Sequence, residues 1–239
     1  MKHARATLAP QLNTVLPKLF RMSYDPSPMV ASSMKAVLKA VAARPAEAIT
    51  QHLPAVLDEL MEAATHRHWR VRESACTALG DVVRGRRWKE LDGRLQAMWE
   101  LLFRVNDDVK ESVRTAAARA LKSLARLTVT LLEPPHGHEA LAAALPFLLE
   151  KGLLSTVKEQ QAFAVAQLAV LCKEAKSMLQ EHVPRVVAKC IEAKGALEPQ
   201  VFHYLTQHRD RLGMSAEEME RLRLSAATAS PLQTALDAC

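Results

Sequence analysis

One amphipathic helix is written four times along the chain at nearly constant spacing, and that recurrence limits the folds open to it. In the clearest copy Val71, Ala75, Leu79, Val82 and Val83 fall at i, i+4, i+8, i+11 and i+12. This draws one apolar stripe along an α-helix, with Arg70, Glu73, Thr77 and Asp81 on the opposite side. Gly85 follows, where a helix favours a left-handed closing residue. The core of that helix returns as Val113-Arg114-x-x-Ala117-x-x-x-Leu121. Weaker copies are Val30-x-x-x-Met34-x-x-x-Leu38 and Gln160-x-x-x-Ala164-x-x-x-Leu168. The anchors at residues 30, 71, 113 and 160 stand 41, 42 and 47 residues apart. A period of about 40–47 residues belongs to stacked helix pairs, none of which can bury its apolar face alone.

The period predicts an all-α fold, an α-solenoid of HEAT or armadillo-like repeats in a right-handed superhelical stack. A single solenoid segment is expected over residues 1–239, with repeats at about 8–43, 51–84, 88–132, 139–175 and 178–208 and a terminal helix at 215–229. The second helices are expected at 29–42, 68–84, 107–132, 156–175 and 199–208, aligned with one another, with residues 43–50 as a connection. Ser27 before Pro28 reads as a helix start. Asn106 reads as the N-cap of the third second helix, with Asp107 and Asp108 on its first turn. Thr156 with Glu159, and Ser215 with Glu218, have capping-box spacing. Pro17, Pro54, Pro146 and Pro184 recur in an apolar-Pro-x-apolar setting, which reads as helix starts or a built-in bend. No stretch has the alternation of a β-strand.

Composition narrows the chemistry. Apolar residues make up 49% but aromatics only 4%, so the core must be Leu, Ala and Val. Seven glycines leave little room for phosphate-cradling loops. Cys76, Cys172, Cys190 and Cys239 have no paired spacing and read as thiols of a reducing compartment, with Cys76 and Cys172 in the core. His66 with His68, and His136 with His138, lack the further ligands that a metal needs, so surface histidines are the reading. No cofactor, metal or catalytic constellation is expected. No apolar run reaches the roughly 20 residues of a membrane span. The start, Met1-Lys2-His3-Ala4-Arg5, is not followed by a signal-peptide core, so a soluble cytoplasmic or nuclear protein is expected. The apolar first and last helices predict exposed apolar surface at both termini and poor solubility in isolation.

The charges, 32 Lys and Arg against 26 Asp and Glu, give only +6 and are interleaved. One region departs from that balance. Arg67, Arg70, Arg72, Arg84, Arg86, Arg87 and Lys89 face only Glu73 and Asp81 between residues 66 and 89. Arginine with tryptophan is the material of binding hot spots, so Trp69, Arg70, Arg72, Arg84, Arg86, Arg87 and Trp88 are candidate partner-binding residues. Two other readings stand beside it: packing and salt bridges within the repeats, and contact with a phosphate backbone.

Several runs are more specific than a generic repeat. Trp69-Arg-Val-Arg-Glu-Ser-Ala-Cys-Thr-Ala-Leu79, Arg84-Gly-Arg86 and Trp99-Glu-Leu-Leu-Phe-Arg-Val-Asn-Asp-Asp-Val-Lys-Glu-Ser-Val-Arg114 resemble the family of large HEAT-repeat proteasome adapter and scaffold proteins. So do Glu150-Lys-Gly-Leu-Leu-Ser-Thr-Val157, Leu197-Glu-Pro-Gln-Val201 and Arg223-Leu-Ser-Ala-Ala227, and the resemblance runs from about Ala4 to Cys239. It implies an internal or C-terminal portion of a longer solenoid, without enzymatic activity or cofactor. It implies binding to the 26S proteasome, tethering of its core to its regulatory particle, and links to membrane-trafficking or motor adaptors. A location in cytoplasm and nucleus, with peripheral association with endoplasmic reticulum or endosomes, follows from the same resemblance. Gln160, where the repeat wants an aliphatic residue, is a local departure. The alternative is a nucleic-acid-binding HEAT array or a general protein-interaction module. Glu73, Glu111 and Glu159 interrupt the basic stripe that nucleic acid would need.

Overall fold

The computed structural model describes residues 11–91, 93–193, 215–221 and 233. The chain divides into two compact units, Met1–Leu131 and Leu132–Cys239. The first contains α1 (Leu12–Met22), α2 (Pro28–Val41), α3 (Pro45–Gln51), α4 (Leu53–Ala63), α5 (Trp69–Val82), α6 (Trp88–Leu91), α7 (Leu95–Val105) and α8 (Glu111–Thr130). The second contains α9 (Gly137–Pro146), a π-helical turn (Phe147–Gly152), α10 (Lys158–Ala175), a 3-10 turn (Lys176–Leu179) and a helix over 183–193, α11. No strand occurs among the described residues, as the repeat pattern predicts.

In the first unit the apolar stripes do what their period requires. Ala75, Ala78, Leu79 and Val82 of α5 are buried, as are Val113, Ala117, Ala120, Leu121 and Leu124 of α8. These two second helices lie side by side, and small residues let them come close. A Cβ added to Gly80 would sit 2.9 Å from the Ala120 Cα. Beneath α8, the fully buried Trp99 of α7 donates its indole N–H to Thr128 Oγ1 at 3.1 Å, and that hydroxyl donates to the Leu124 carbonyl at 2.9 Å. A buried polar ring edge is thereby satisfied. α1 runs along α4, with Arg21 Nε on Glu59 at 3.0 Å and Asn13 Oδ1 on His52 Nδ1 at 2.9 Å. α2 packs on α1 and makes no comparable contact with α5, so the expected alignment holds for α5 and α8 but not for α2. On the apolar face of α1, Leu16 and Phe20 are buried and Leu12, Val15 and Leu19 are half-buried. Among the described residues of this first pair, the large apolar side chains that are exposed are Met29 and Val37 of α2.

One turn chemistry recurs between the helices of each pair. Three residues before α2, α5, α8 and α10 stand Asp25, His66, Asp108 and Ser155. Each side chain accepts the backbone N–H two residues on: Ser27 at 2.8 Å, His68 at 3.1 Å, Lys110 at 2.8 Å and Val157 at 3.1 Å. These are Asx-type turns, which supply the acceptor the tight reversal would otherwise lack. They shift several expected boundaries. The third second helix starts at Glu111, not Asp107; Asn106 closes α7 by donating its N–H to Leu102 O, and Asp107 and Asp108 belong to the turn. Pro28 opens α2 and Ser27 is its N-cap by position, but the Ser27 hydroxyl makes no capping bond. Thr156 and Glu159 form no capping box, because α10 starts two residues later and Ser155 serves the turn. Ser215 and Glu218 do form one: Ser215 N–H donates to Glu218 Oε2 at 2.8 Å and Glu218 N–H to Ser215 Oγ at 3.1 Å.

Other differences have local causes. Residues 43–50 are largely helix α3, started by Pro45 with Glu47 on the first turn. The first helix of the repeat expected at 88–132 breaks into α6 and α7 at Gly93, whose φ of +73° a right-handed helix does not accommodate. Pro54 and Pro184 open helices, while Pro17 lies inside α1 and Pro146 ends α9 where the backbone widens into the π turn. Cys76, Cys172 and Cys190 are buried. The helix expected at 199–208 lies outside the described residues, and of the terminal one only 216–221 is described.

Candidate protein-docking surface

The seven residues singled out by the sequence fall into two groups, at opposite ends of α5. Fourteen residues at 1.5 Å per residue separate them by about 20 Å. The C-terminal group is largely matched within itself. Gly85, at φ +67°, turns the chain after α5. Arg86 folds back: its Nε donates to Val82 O at 2.8 Å, and its Nη1 reaches Thr50 Oγ1 at 3.1 Å and Glu90 at 3.4 Å. It occupies a last-turn carbonyl that the helix leaves open. Glu90 accepts the Arg87 N–H at 2.7 Å and pairs with the Arg87 side chain at 3.5 Å. That backbone N–H is the main reason its carboxyl is held below the usual glutamate range. Arg84 pairs with Asp81 at 3.1 Å. Trp88 is half-buried at the start of α6.

The N-terminal group divides in two. Arg72 is structural: its side chain is 14% exposed and its guanidinium forks onto Asp108, Nε to Oδ2 at 2.6 Å and Nη2 to Oδ1 at 2.9 Å. Its Nη1 also binds the carbonyls of His66 and Arg67, both at 2.9 Å. The bidentate fork holds Asp108 below the usual aspartate range and raises Arg72. One repeat on, Arg114 makes the same carbonyl contacts, to Asp108 O at 2.8 Å and Val109 O at 3.1 Å. Gln161 takes the fourth helical position of α10, as Arg72 and Arg114 do in theirs, and bonds Leu153 O at 2.9 Å. Trp69 and Arg70 face outward, and Trp69 is 37% exposed. The Lys110 ammonium lies 5.1 Å and the Arg70 guanidinium 5.4 Å from the indole centroid. Next to Lys110, Val109 is 95% exposed. Sequence reasoning missed Asp108 as an ion-pair partner, and Val109 and Lys110 as surface neighbours of Trp69. The signal available was the repeat register, which sets residues 66–70 beside 108–112.

Nothing else in the described residues gathers reactive groups. Burial is the main reason the Cys76 thiol is pushed up to about 12, so it is a core side chain and a poor nucleophile. His66 and His68 lie ring to ring at 5.3 Å, His136 bonds Glu139 at 2.9 Å, and no cluster of three metal-ligating side chains occurs among the described residues. No described helix is long and apolar enough to cross a membrane.

Residues 179–239 match the family described as proteasome adapter and scaffold protein ECM29, HEAT-repeat domain. Residues 1–126 match the one described as dynein axonemal assembly factor 5-like, TPR repeats, a second helix-pair repeat description. The human proteasome adapter and scaffold protein ECM29 is 38% identical over 97% of this chain, which spans 13% of that protein. The proteasome component ECM29 of Saccharomyces cerevisiae is 28% identical over 91% of this chain, which spans 12% of it. The chain therefore covers about an eighth of the length of these relatives. Among solved structures, a designed armadillo repeat protein is 21% identical, covers 93% of this chain and 99% of its own, and has a TM-score of 0.41, too loose to add to the fold described above. With its helix pairs, its recurring turn and an identity that runs nearly from end to end, the chain belongs to the ECM29 family of HEAT-repeat proteins, its first 126 residues also falling within the dynein axonemal assembly factor 5-like repeat family.

Proposed function

We propose that this chain is a non-enzymatic scaffold segment that binds the 26S proteasome and helps tether its core to its regulatory particle. The identity shared with the human proteasome adapter and scaffold protein over nearly the whole chain carries this reading. The architecture supports it. Helix pairs present exposed edges at their turns while burying their chemistry-poor interiors, which suits a protein that binds other proteins. Links to membrane-trafficking or motor adaptors belong to the same reading. So does a location in cytoplasm and nucleus, with peripheral attachment to endoplasmic reticulum or endosomes.

The test uses the immobilised 239-residue chain and purified 26S proteasome, isolated core particle and isolated regulatory particle, each presented separately. Retention of 26S particles, and of at least one isolated particle, above a helix-repeat protein of matched length supports the proposal. No retention of any of the three at micromolar concentration overturns it.

A further inference from the structure

We propose that the turn edge formed by Arg67, Trp69, Arg70, Val109 and Lys110 is a docking surface for an acidic peptide segment that carries an apolar side chain. The proposal rests on the scaffold reading and names the chemistry of a partner for it.

The first argument is the state of the charges. At the far end of α5 every arginine already has a carboxylate: Arg84 has Asp81, and Arg86 and Arg87 share Glu90. Around Trp69 the pattern is reversed. Arg67, Arg70 and Lys110 are exposed and carry no ion pair among the described residues. The carboxylates of this edge are partly occupied, since Asp108 is held by Arg72 and Glu73 Oε2 accepts the Ser112 hydroxyl at 2.5 Å. Glu73, which keeps its charge, stands with Asp107 and Glu111 against Arg67, Arg70, Lys110 and Arg114, whose guanidinium lies on the Asp108 and Val109 carbonyls, so the edge keeps a small cationic excess. Such a surface attracts carboxylates, and arginine's planar fork suits them.

The second argument is the aromatic ring. Two cations lie 5.1 and 5.4 Å from the Trp69 ring centroid, within reach of its π face, while part of the indole stays open at 37% exposure. Val109 adds an apolar side chain that is 95% exposed. Tryptophan beside arginine, with an aliphatic neighbour, is the composition of a binding hot spot. The third argument is rigidity. The Arg72–Asp108 fork ties the start of α5 to the turn before α8, and Asp108 also accepts the Lys110 N–H. Both halves of the surface are therefore in place before a partner arrives, which lowers the cost of binding.

The test is fluorescence anisotropy with the full chain and a fluorescein-labelled twelve-residue peptide of Asp and Glu around a central Leu-Phe. Arg70→Glu with Lys110→Glu in one variant, and Trp69→Ala in another, should each weaken binding at least tenfold with helicity unchanged. Arg84→Glu with Arg87→Glu, at the other end of α5, should change it less than twofold. Failure of the wild-type chain to bind this peptide at micromolar concentration, or equal weakening by both double variants, overturns the proposal. So does a twelve-nucleotide single strand that binds as tightly and is lost in the same variants, since the surface would then recognise phosphate. Peptide binding and proteasome retention are separate readouts. If the peptide binds and the proteasome does not, the scaffold reading fails alone; if the proteasome is retained and the peptide is not bound, this proposal fails alone.

Discussion

Replacing Gly80 with alanine is the sharpest single test of how the first unit is packed. In the interior of an isolated helix the change stabilises by about 1 kcal/mol, because glycine has more freedom to lose. Here the added Cβ would meet the Ala120 Cα at 2.9 Å, its Cβ at 3.2 Å and its N at 3.4 Å. These are backbone or backbone-anchored atoms of α8 that cannot swing aside, so the two helices must separate by a few tenths of an ångström. Forcing an extra carbon into a packed interface costs about 1–3 kcal/mol. Against the propensity gain, a net destabilisation of about 1 kcal/mol is expected, or about 4 °C in Tm for a unit of this size. Urea titration followed by circular dichroism reads it as a lower midpoint at unchanged slope. A variant stabilised by the full propensity gain would show that α5 and α8 are not in close contact there, and the packing account would fail.

Leu79→Ala, at a fully buried position on the same stripe, should lower stability by about 2–5 kcal/mol by urea titration, and an effect below about 1 kcal/mol would show a loosely filled core. Asp108→Asn should cost about 2 kcal/mol near neutral pH, between a surface and a buried pair, because Arg72 loses its ionic partner. The folded-state pKa of Asp108 is depressed, so its contribution is complete above the ordinary aspartate value near 3.9 and disappears as pH falls through the lower folded value. Melting curves of wild type and variant should therefore converge in strong acid. Gln160→Leu removes a buried amide nitrogen that has no protein partner, and it should leave Tm unchanged or raise it; a fall of several degrees would show that the Ser155–Gln160 bond outweighs that amide.

What could be read in the sequence was what repeats or what is local. The stripes of α5 and α8 appeared at their spacing because burial of one helix face leaves a 3.6-residue trace. The Ser215–Glu218 box was legible because both of its bonds close within four residues. The same pattern at Thr156 and Glu159 misled, because the Ser155 side chain caps the turn first and moves the helix start to Lys158. Asp108 looked like a first-turn carboxylate, and its true partner, Arg72, lies 36 residues away. The candidate surface suffered from the same limit. Counting charges along residues 66–89 merged two ends of one helix, whereas the register between repeats, which a linear count ignores, brings Lys110 and Val109 to Trp69. Gln160 was recognised as a misfit, and the structure shows its physical form: a buried amide half-satisfied by Ser155.

The measurement that bears most directly on the central claim is backbone hydrogen exchange of the chain with and without purified 26S proteasome. If the chain is a proteasome-binding scaffold segment that docks through its turn edge, peptides covering residues 66–70 and 107–112 should exchange more slowly in the complex. Those covering residues 83–90 should be unchanged. Exchange that is identical with and without the proteasome, or protection confined to residues 83–90, would contradict the account.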